Sequence, residues 1–278
     1  MRKLLNQLIQ LQELYFALDE HRVSGDGDKL SALEEDIRLL MDQLPPDKAE
    51  FFKKLQRRDP PAIAPVIDGT CYGCGIDLPI YLPSEIMHYD DIYQCPSCSR
   101  FLYPYSGEKL DFSQAQAHSQ LPRLGIDKFS SERLMMPALT SSSGREVIHE
   151  MAQQIADELF FPHPELLTEK ALEREVIMST AVEHGLAFPH VRGVDGSSLT
   201  LAVGLKNSGI KFGAPRGRLT RIFFFAVIPV AASAFYLKLL AGLVETFREK
   251  TARDALLECG DQKSLWKAMK RFTRKHLP

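Results

Sequence analysis

Two Cys-x-x-Cys pairs, Cys71-Tyr-Gly-Cys74 and Cys95-Pro-Ser-Cys98, stand twenty residues apart in a chain of 278. Each pair is a tight turn that aims two thiols at one point, and Gly73, Gly75, Pro96 and Ser97 suit such turns. Two pairs at this separation supply the four ligands of one tetrahedral ion, so Cys71, Cys74, Cys95 and Cys98 are expected to bind zinc. Four thiolates leave no open position, which makes the ion structural rather than catalytic. It would replace the core that a module of only 40 residues, 67–106, cannot build. The competing reading is two unrelated pairs of buried or redox cysteines. The fifth cysteine, Cys259, is read as a small buried hydrophobe. Five is an odd count and does not suit a secreted disulfide framework.

The segment before the cysteines is helical in pattern. Leu4, Leu8, Leu11, Tyr15 and Leu18 recur at heptad steps, as do Leu30, Leu33, Ile37, Leu40 and Leu44. Ser24-Gly25-Asp26-Gly27 separates the two runs and Pro45-Pro46 ends the second. Residues 1–58 therefore read as an antiparallel helical hairpin. Two short helices bury little by themselves, so either a third helix at 47–56 or a second copy of the chain is expected to complete the core. A homodimer through the hairpin thus stays open. No uninterrupted apolar run opens the chain, so no signal peptide is expected.

Residues 107–128 are polar and read as a linker. From 129 to 278 the pattern becomes α/β. Helices are expected at 144–160 and 164–175, strands at 199–205 and 222–228, and helices at 232–250, 252–258 and 262–275. The run 222–244 carries one charge, Lys238, and is long enough to span a membrane. Pro229 and Ser233 divide it, however, into a strand-like and a helix-like part, so a buried strand and a packed helix are expected instead. The fold class is therefore multidomain: a helical hairpin and zinc ribbon, then an α/β mixed sheet flanked by helices.

The residues around the cysteine pairs, Cys71-Tyr-Gly-Cys74-Gly-Ile-Asp-Leu-Pro79 and Ile92-Tyr-Gln-Cys95-Pro-Ser-Cys98-Ser-Arg-Phe-Leu-Tyr103, resemble a C4-type zinc ribbon that follows a coiled-coil hairpin in a bacterial family. That family is often described as binding nucleic acid. Here residues 67–106 hold five acidic residues and a single basic one, Arg100. Phosphate binding needs clustered Lys and Arg, so a protein partner is expected for the ribbon and hairpin rather than a nucleic acid. The net charge of −2 gives no global basic field either. Six basic residues near the end, Lys263, Lys267, Lys270, Arg271, Arg274 and Lys275, read as a solvated helix face.

The most informative segment is Arg174-Glu175-Val-Ile-Met-Ser179-Thr180-Ala-Val-Glu-His184-Gly185-Leu-Ala187-Phe-Pro189-His190-Val-Arg192. It resembles the enzyme IIA domain of the fructose/mannitol type from the bacterial phosphotransferase system, which includes a nitrogen-regulatory branch. The pattern there is R-E-x-x-x-S/T-T-x-x-x-x-G-x-A-x-P-H, and the likeness runs from about residue 130 to 275. It implies an α/β fold with His190 as phosphoryl acceptor and Arg174 as the guanidinium that clamps the phosphoryl oxygens. Arg192 is a second local candidate for the clamp, and Ser179 and Thr180 are candidate hydrogen-bond donors to the phosphoryl group. Imidazole suits the task, being nucleophilic near neutral pH and a good leaving group once phosphorylated. The family commonly places a second active-site histidine just before the leucine of an H-L-x-x-L helix, and this chain has Tyr236 there. Tyrosine donates a hydrogen bond but supplies no imidazolium charge.

The expectation is a cytoplasmic, bacterial phosphoryl carrier or regulator that takes a phosphoryl group on His190 from an HPr-like phosphocarrier, a phosphotransferase chemistry. The alternative is a non-catalytic adaptor in which this domain only docks partners while the ribbon binds protein or nucleic acid. His149 and His163 are read as solvated helix-end residues and His184 as a loop residue.

Overall fold

A computed structural model of the chain describes all residues except 26, 106–124, 160, 195–198, 230–231 and 278. It divides into two compact units: Met1–His21 with Gly27–Glu108, and Lys109–Pro278 with the short segment Arg22–Asp26.

In the first unit the leucine runs form helices α1 (Arg2–Ser24) and α2 (Gly27–Asp42). Gly25 between them has φ +77°, a conformation open to glycine at little cost. Helix α2 buries Leu33, Ile37 and Leu40 as their spacing requires. Helix α1 buries a wider stripe than two heptad positions, adding Leu5, Leu14 and Ala17, while Leu4 and Tyr15 sit at its margin. A third helix follows, α3 (Pro46–Arg58), with Pro46 at its first position, Phe52 and Leu55 buried, and the Phe52 ring 5.8 Å from that of Tyr15.

A small sheet follows, in the order β3-β2-β1-β4. Its strands are β1 (Ile63–Ile67), β2 (Thr70–Cys71), β3 (Ile76–Asp77) and β4 (Phe101–Pro104), with helix α4 (Leu82–His88) before the last. Its core is slight: Ala64, Leu78, Leu82, Ile86 and Leu102 close around Cys71 and Cys95.

Of the stretch read as a linker, residues 107–124 lie outside the described ones. Gly125–Lys128 form a 3-10 turn that places Ile126 in the second core. The second unit then runs β5 (Met135–Met136), α5 (Gly144–Leu159), α6 (Pro164–Ile177), β6 (Ala181–Val182), β7 (Leu186–Ala187), β8 (His190–Val194), β9 (Thr200–Lys211) and β10 (Leu219–Pro229). Helices α7 (Ser233–Arg248), α8 (Lys250–Leu257) and α9 (Gln262–Thr273) close it, the last started by an Asp261–Ser264 capping box.

The sheet order is β5-β9-β10-β7-β6. Strand β10 lies at its middle, antiparallel to β9 on one edge and parallel to both β7 and β8 on the other. The whole run Ile222–Ile228 is buried, because helices and neighbouring strands leave it no free face. The apolar stretch thus divides into β10 and α7, and among the described residues no helix is long and apolar enough to cross a membrane.

Candidate functional site

In the first unit the four cysteine sulfurs lie within 4.8 Å of one another, Cys71 3.8 Å from Cys98 and Cys74 3.7 Å from Cys95. A metal–thiolate bond of about 2.3 Å gives a tetrahedron whose edge is about 3.8 Å. A disulfide would need about 2.05 Å. The donor set and its spacing therefore fit one metal ion, and among the described residues it is the one His, Cys, Asp and Glu cluster that does.

Arg100 supports this cluster. Its buried guanidinium donates to the Pro61 carbonyl at 2.8 Å and to the Asp59 carboxylate at 2.6 Å, and it lies against Cys98. Gly73 makes room for it, since a Cβ there would come within 2.6 Å of Arg100 Cδ. Burial pushes the Cys71 thiol up. Burial acts the same way on Cys98, but the Arg100 backbone N–H and guanidinium outweigh it and bring that thiol down to about 7.

In the second unit His190 opens β8 and is 1% exposed. Its Nδ1 lies 3.0 Å from the Phe188 carbonyl oxygen and 3.2 Å from Tyr236 Oη. A carbonyl oxygen only accepts, so Nδ1 carries the proton and the lone pair belongs to Nε2. Tyr236, buried on α7, sets its ring 5.1 Å from the imidazole, and the Arg192 guanidinium stands 5.2 Å from the centre of that ring. His190, Tyr236 and Arg192 are therefore together. Lys238 is exposed, on another face of α7.

Arg174 and Thr180 hold the segment that precedes the imidazole. Arg174, buried in the last turn of α6, donates from Nη1 to the Met178 carbonyl at 2.8 Å and so finishes the helix. Thr180 gives both its N–H, at 3.0 Å, and its hydroxyl proton to the Glu175 carboxylate. The Ser179 hydroxyl donates to the Phe212 carbonyl at 2.5 Å. Both hydroxyls expected to face a phosphoryl group thus serve the loop that leads to His190. Burial raises the Glu175 carboxyl above its ordinary range, against the pull of the Thr180 donors. Glu175 and the Phe188 carbonyl were not singled out from the sequence. The signal for Glu175 was its place beside Arg174 in the motif, whereas a backbone carbonyl leaves none.

The loop itself is shaped by Glu183–Gly185, where His184 has φ +67° and Gly185 φ +75°. A Cβ on Gly185 would sit 3.0 Å from the Leu219 carbonyl oxygen, so the chain passes closely there. His163 stands exposed at the start of α6, as read. His149 is not at a helix end: it lies within α5 and bonds Thr168 of α6 at 3.1 Å, since α5 and α6 pack side by side. Cys259 is half-buried against the core.

Residues 128–272 match the family described as phosphoenolpyruvate-dependent sugar phosphotransferase system, EIIA 2. A fructose-specific EIIA component of Haloferax volcanii is 28% identical over 94 residues, 34% of this chain and 61% of that relative's length. A nitrogen regulatory protein of Bradyrhizobium diazoefficiens is 25% identical over 135 residues, 49% of this chain and 88% of its own. Among solved structures, IIA-Ntr of Neisseria meningitidis aligns with a TM-score of 0.47 at 21% identity, covering 51% of this chain and 96% of that one. Mannitol IIA of Escherichia coli gives 0.43 at 14%, covering 50% and 97%. The matched residues make up just over half of the chain, and they identify it as a member of the phosphotransferase system EIIA type 2 family.

Proposed function

We propose that the chain is a phosphoryl carrier or regulator of the phosphotransferase system, with Nε2 of His190 as the acceptor. The observation that carries this is the 3.0 Å contact of Nδ1 with the Phe188 carbonyl, which leaves the nucleophilic lone pair on Nε2. In the step, that lone pair attacks the phosphorus of a phosphohistidine on an HPr-like carrier. The Nε2–P bond forms, the donor's N–P bond breaks, and the donor imidazole keeps the electron pair. The Nδ1 proton stays shared with Phe188 and supports the charge that develops on the ring. Arg192, beside Tyr236, would meet the phosphoryl oxygens, and Arg174 shapes the segment that leads to the imidazole. Because His190 is 1% exposed, its cover must move aside for a donor to reach it.

In the same reading the four cysteines hold a structural zinc ion, and the ribbon and hairpin bind a partner protein. The acidic surface of residues 67–106 favours a basic protein over nucleic acid. An interaction module joined to an EIIA domain favours regulation over bulk sugar uptake, in the cytoplasm where phosphoenolpyruvate is made.

The test is intact-protein mass spectrometry under non-acidic conditions after incubation with phosphoenolpyruvate, enzyme I and HPr, with His190→Ala as control. A gain of one phosphoryl group, absent from the variant, supports the carrier. No gain by folded protein beside an active HPr pool supports the second reading, a docking adaptor. The burial of His190 and the presence of Tyr236 are the observations that favour that adaptor.

A further inference from the structure

Strands β6 and β7 form an antiparallel pair, with Ala181 opposite Ala187 and Val182 opposite Leu186. One step further, the same register sets Thr180 opposite Phe188. Facing residues in such a ladder exchange two N–H···O bonds or none. Here one bond of the exchange is present, Phe188 N–H to the Thr180 carbonyl at 3.3 Å. The other has been diverted at both ends. Thr180 N–H goes to Glu175 Oε2 at 3.0 Å, and the Phe188 carbonyl takes the proton on His190 Nδ1 at 3.0 Å. Glu175 also receives the Thr180 hydroxyl, so Thr180 is held by both of its donors. Ala226 N–H, from β10, bonds the carbonyl of the next residue, Pro189, at 3.0 Å.

We infer that Glu175 is a positioning residue for His190: by occupying Thr180 N–H it keeps the Phe188 carbonyl available to Nδ1 and so fixes the imidazole tautomer. Glu175 itself touches neither the ring nor its reacting atom. The inference rests on the reading of His190 as phosphoryl acceptor for its functional meaning, although the tautomer is measurable without any donor.

The experiment is nitrogen NMR of histidine-labelled protein, which reports the proton on Nδ1 or Nε2 directly, together with phosphoryl uptake from HPr. Wild type should show Nδ1–H. In Glu175→Ala the Thr180 N–H has the Phe188 carbonyl opposite it as its replacement, so Nδ1–H must share that oxygen and its bond there weakens. The tautomer ratio should shift toward Nε2–H by about 5-fold, the worth of one ordinary hydrogen bond. Uptake should slow by a similar factor in kcat, with KM for the donor little changed. Glu175→Gln keeps an oxygen for Thr180 N–H and should restore the wild-type tautomer. Should Glu175→Ala not fold, Glu175→Asp, one methylene shorter, withdraws the carboxylate and should give the same shift. An unmoved tautomer in a folded Ala or Asp variant overturns the inference, as does an equal shift in Glu175→Gln. A wild-type protein that takes up no phosphoryl group overturns the acceptor reading instead, and the tautomer result separates the two failures.

Discussion

Replacing Tyr236 with Phe isolates one hydroxyl at the centre of the site. The ring is buried and lies beside the Arg192 guanidinium, and Phe keeps that packing. The substitution removes the contact of Oη with His190 Nδ1 at 3.2 Å. That contact shares one proton with the shorter bond to the Phe188 carbonyl at 3.0 Å, so it is a supplement rather than the hold itself. An ordinary hydrogen bond contributes about 0.5–1.5 kcal/mol. Felt in full at the transition state, this is a rate reduction of roughly 2- to 13-fold. The assay is the initial rate of phosphoryl uptake from a limiting pool of phosphorylated HPr, read by intact mass, with His190→Ala as the zero. The histidine tautomer in Tyr236→Phe should remain Nδ1–H. A loss above roughly 100-fold, about 2.7 kcal/mol, would refute the reasoning. It would mean that the tyrosine hydroxyl donates to Nδ1 and that the lone pair and the proton are exchanged between the two ring nitrogens.

Three further outcomes are expected. Phe224→Ala, at a ring stacked 5.2 Å from both Phe188 and Phe247, should cost about 3–5 kcal/mol in denaturant unfolding and slow phosphoryl uptake by loosening the Phe188 backbone. Cys95→Ser should lower zinc stoichiometry after refolding in zinc and raise amide exchange across β1–β4, read by hydrogen-exchange mass spectrometry. Burial acts to raise the Glu150 carboxyl, yet donors from Ser141 and Thr140 hold it below its ordinary value of 4.5. Its folded pKa is the lower one, so its stabilisation is present above about pH 4.5 and is lost as pH falls through the folded value. Glu150→Gln should flatten the acid limb of a Tm-against-pH curve in that window.

Much of the α/β unit was legible because its core strand and helix patterns differ in period. Pro229 and Ser233 marked where β10 ends and α7 begins, and the Arg174–His190 motif located the imidazole. Leu33, Ile37 and Leu40 were readable because α2 buries a single stripe. The stripe on α1 was not, since it buries Leu5 and Leu14 beyond the two heptad positions and meets α3 through Tyr15 and Phe52. Within the site, the company of His190 and Tyr236 was legible through a family pattern, although 46 residues separate them. The partners of Thr180 and Ser179 were not. A hydroxyl in a motif invites a ligand, but here Glu175 and the Phe212 carbonyl are nearer. Nor does any periodicity reveal that His149 meets Thr168, because that pairing depends on how two helices lie together.

Strand β10 has a consequence for the making of the protein. Seven consecutive apolar residues with three adjacent phenylalanines are a segment that would pair with copies of itself if left bare. All of its sheet partners, β7, β8 and β9, precede it in the chain. Synthesised from the N-terminus, the strand therefore emerges after every strand it pairs with, while α7, which packs on it, is still to come. The order of the elements acts as a safeguard against aggregation, one that a circular permutation starting between β9 and β10 would remove.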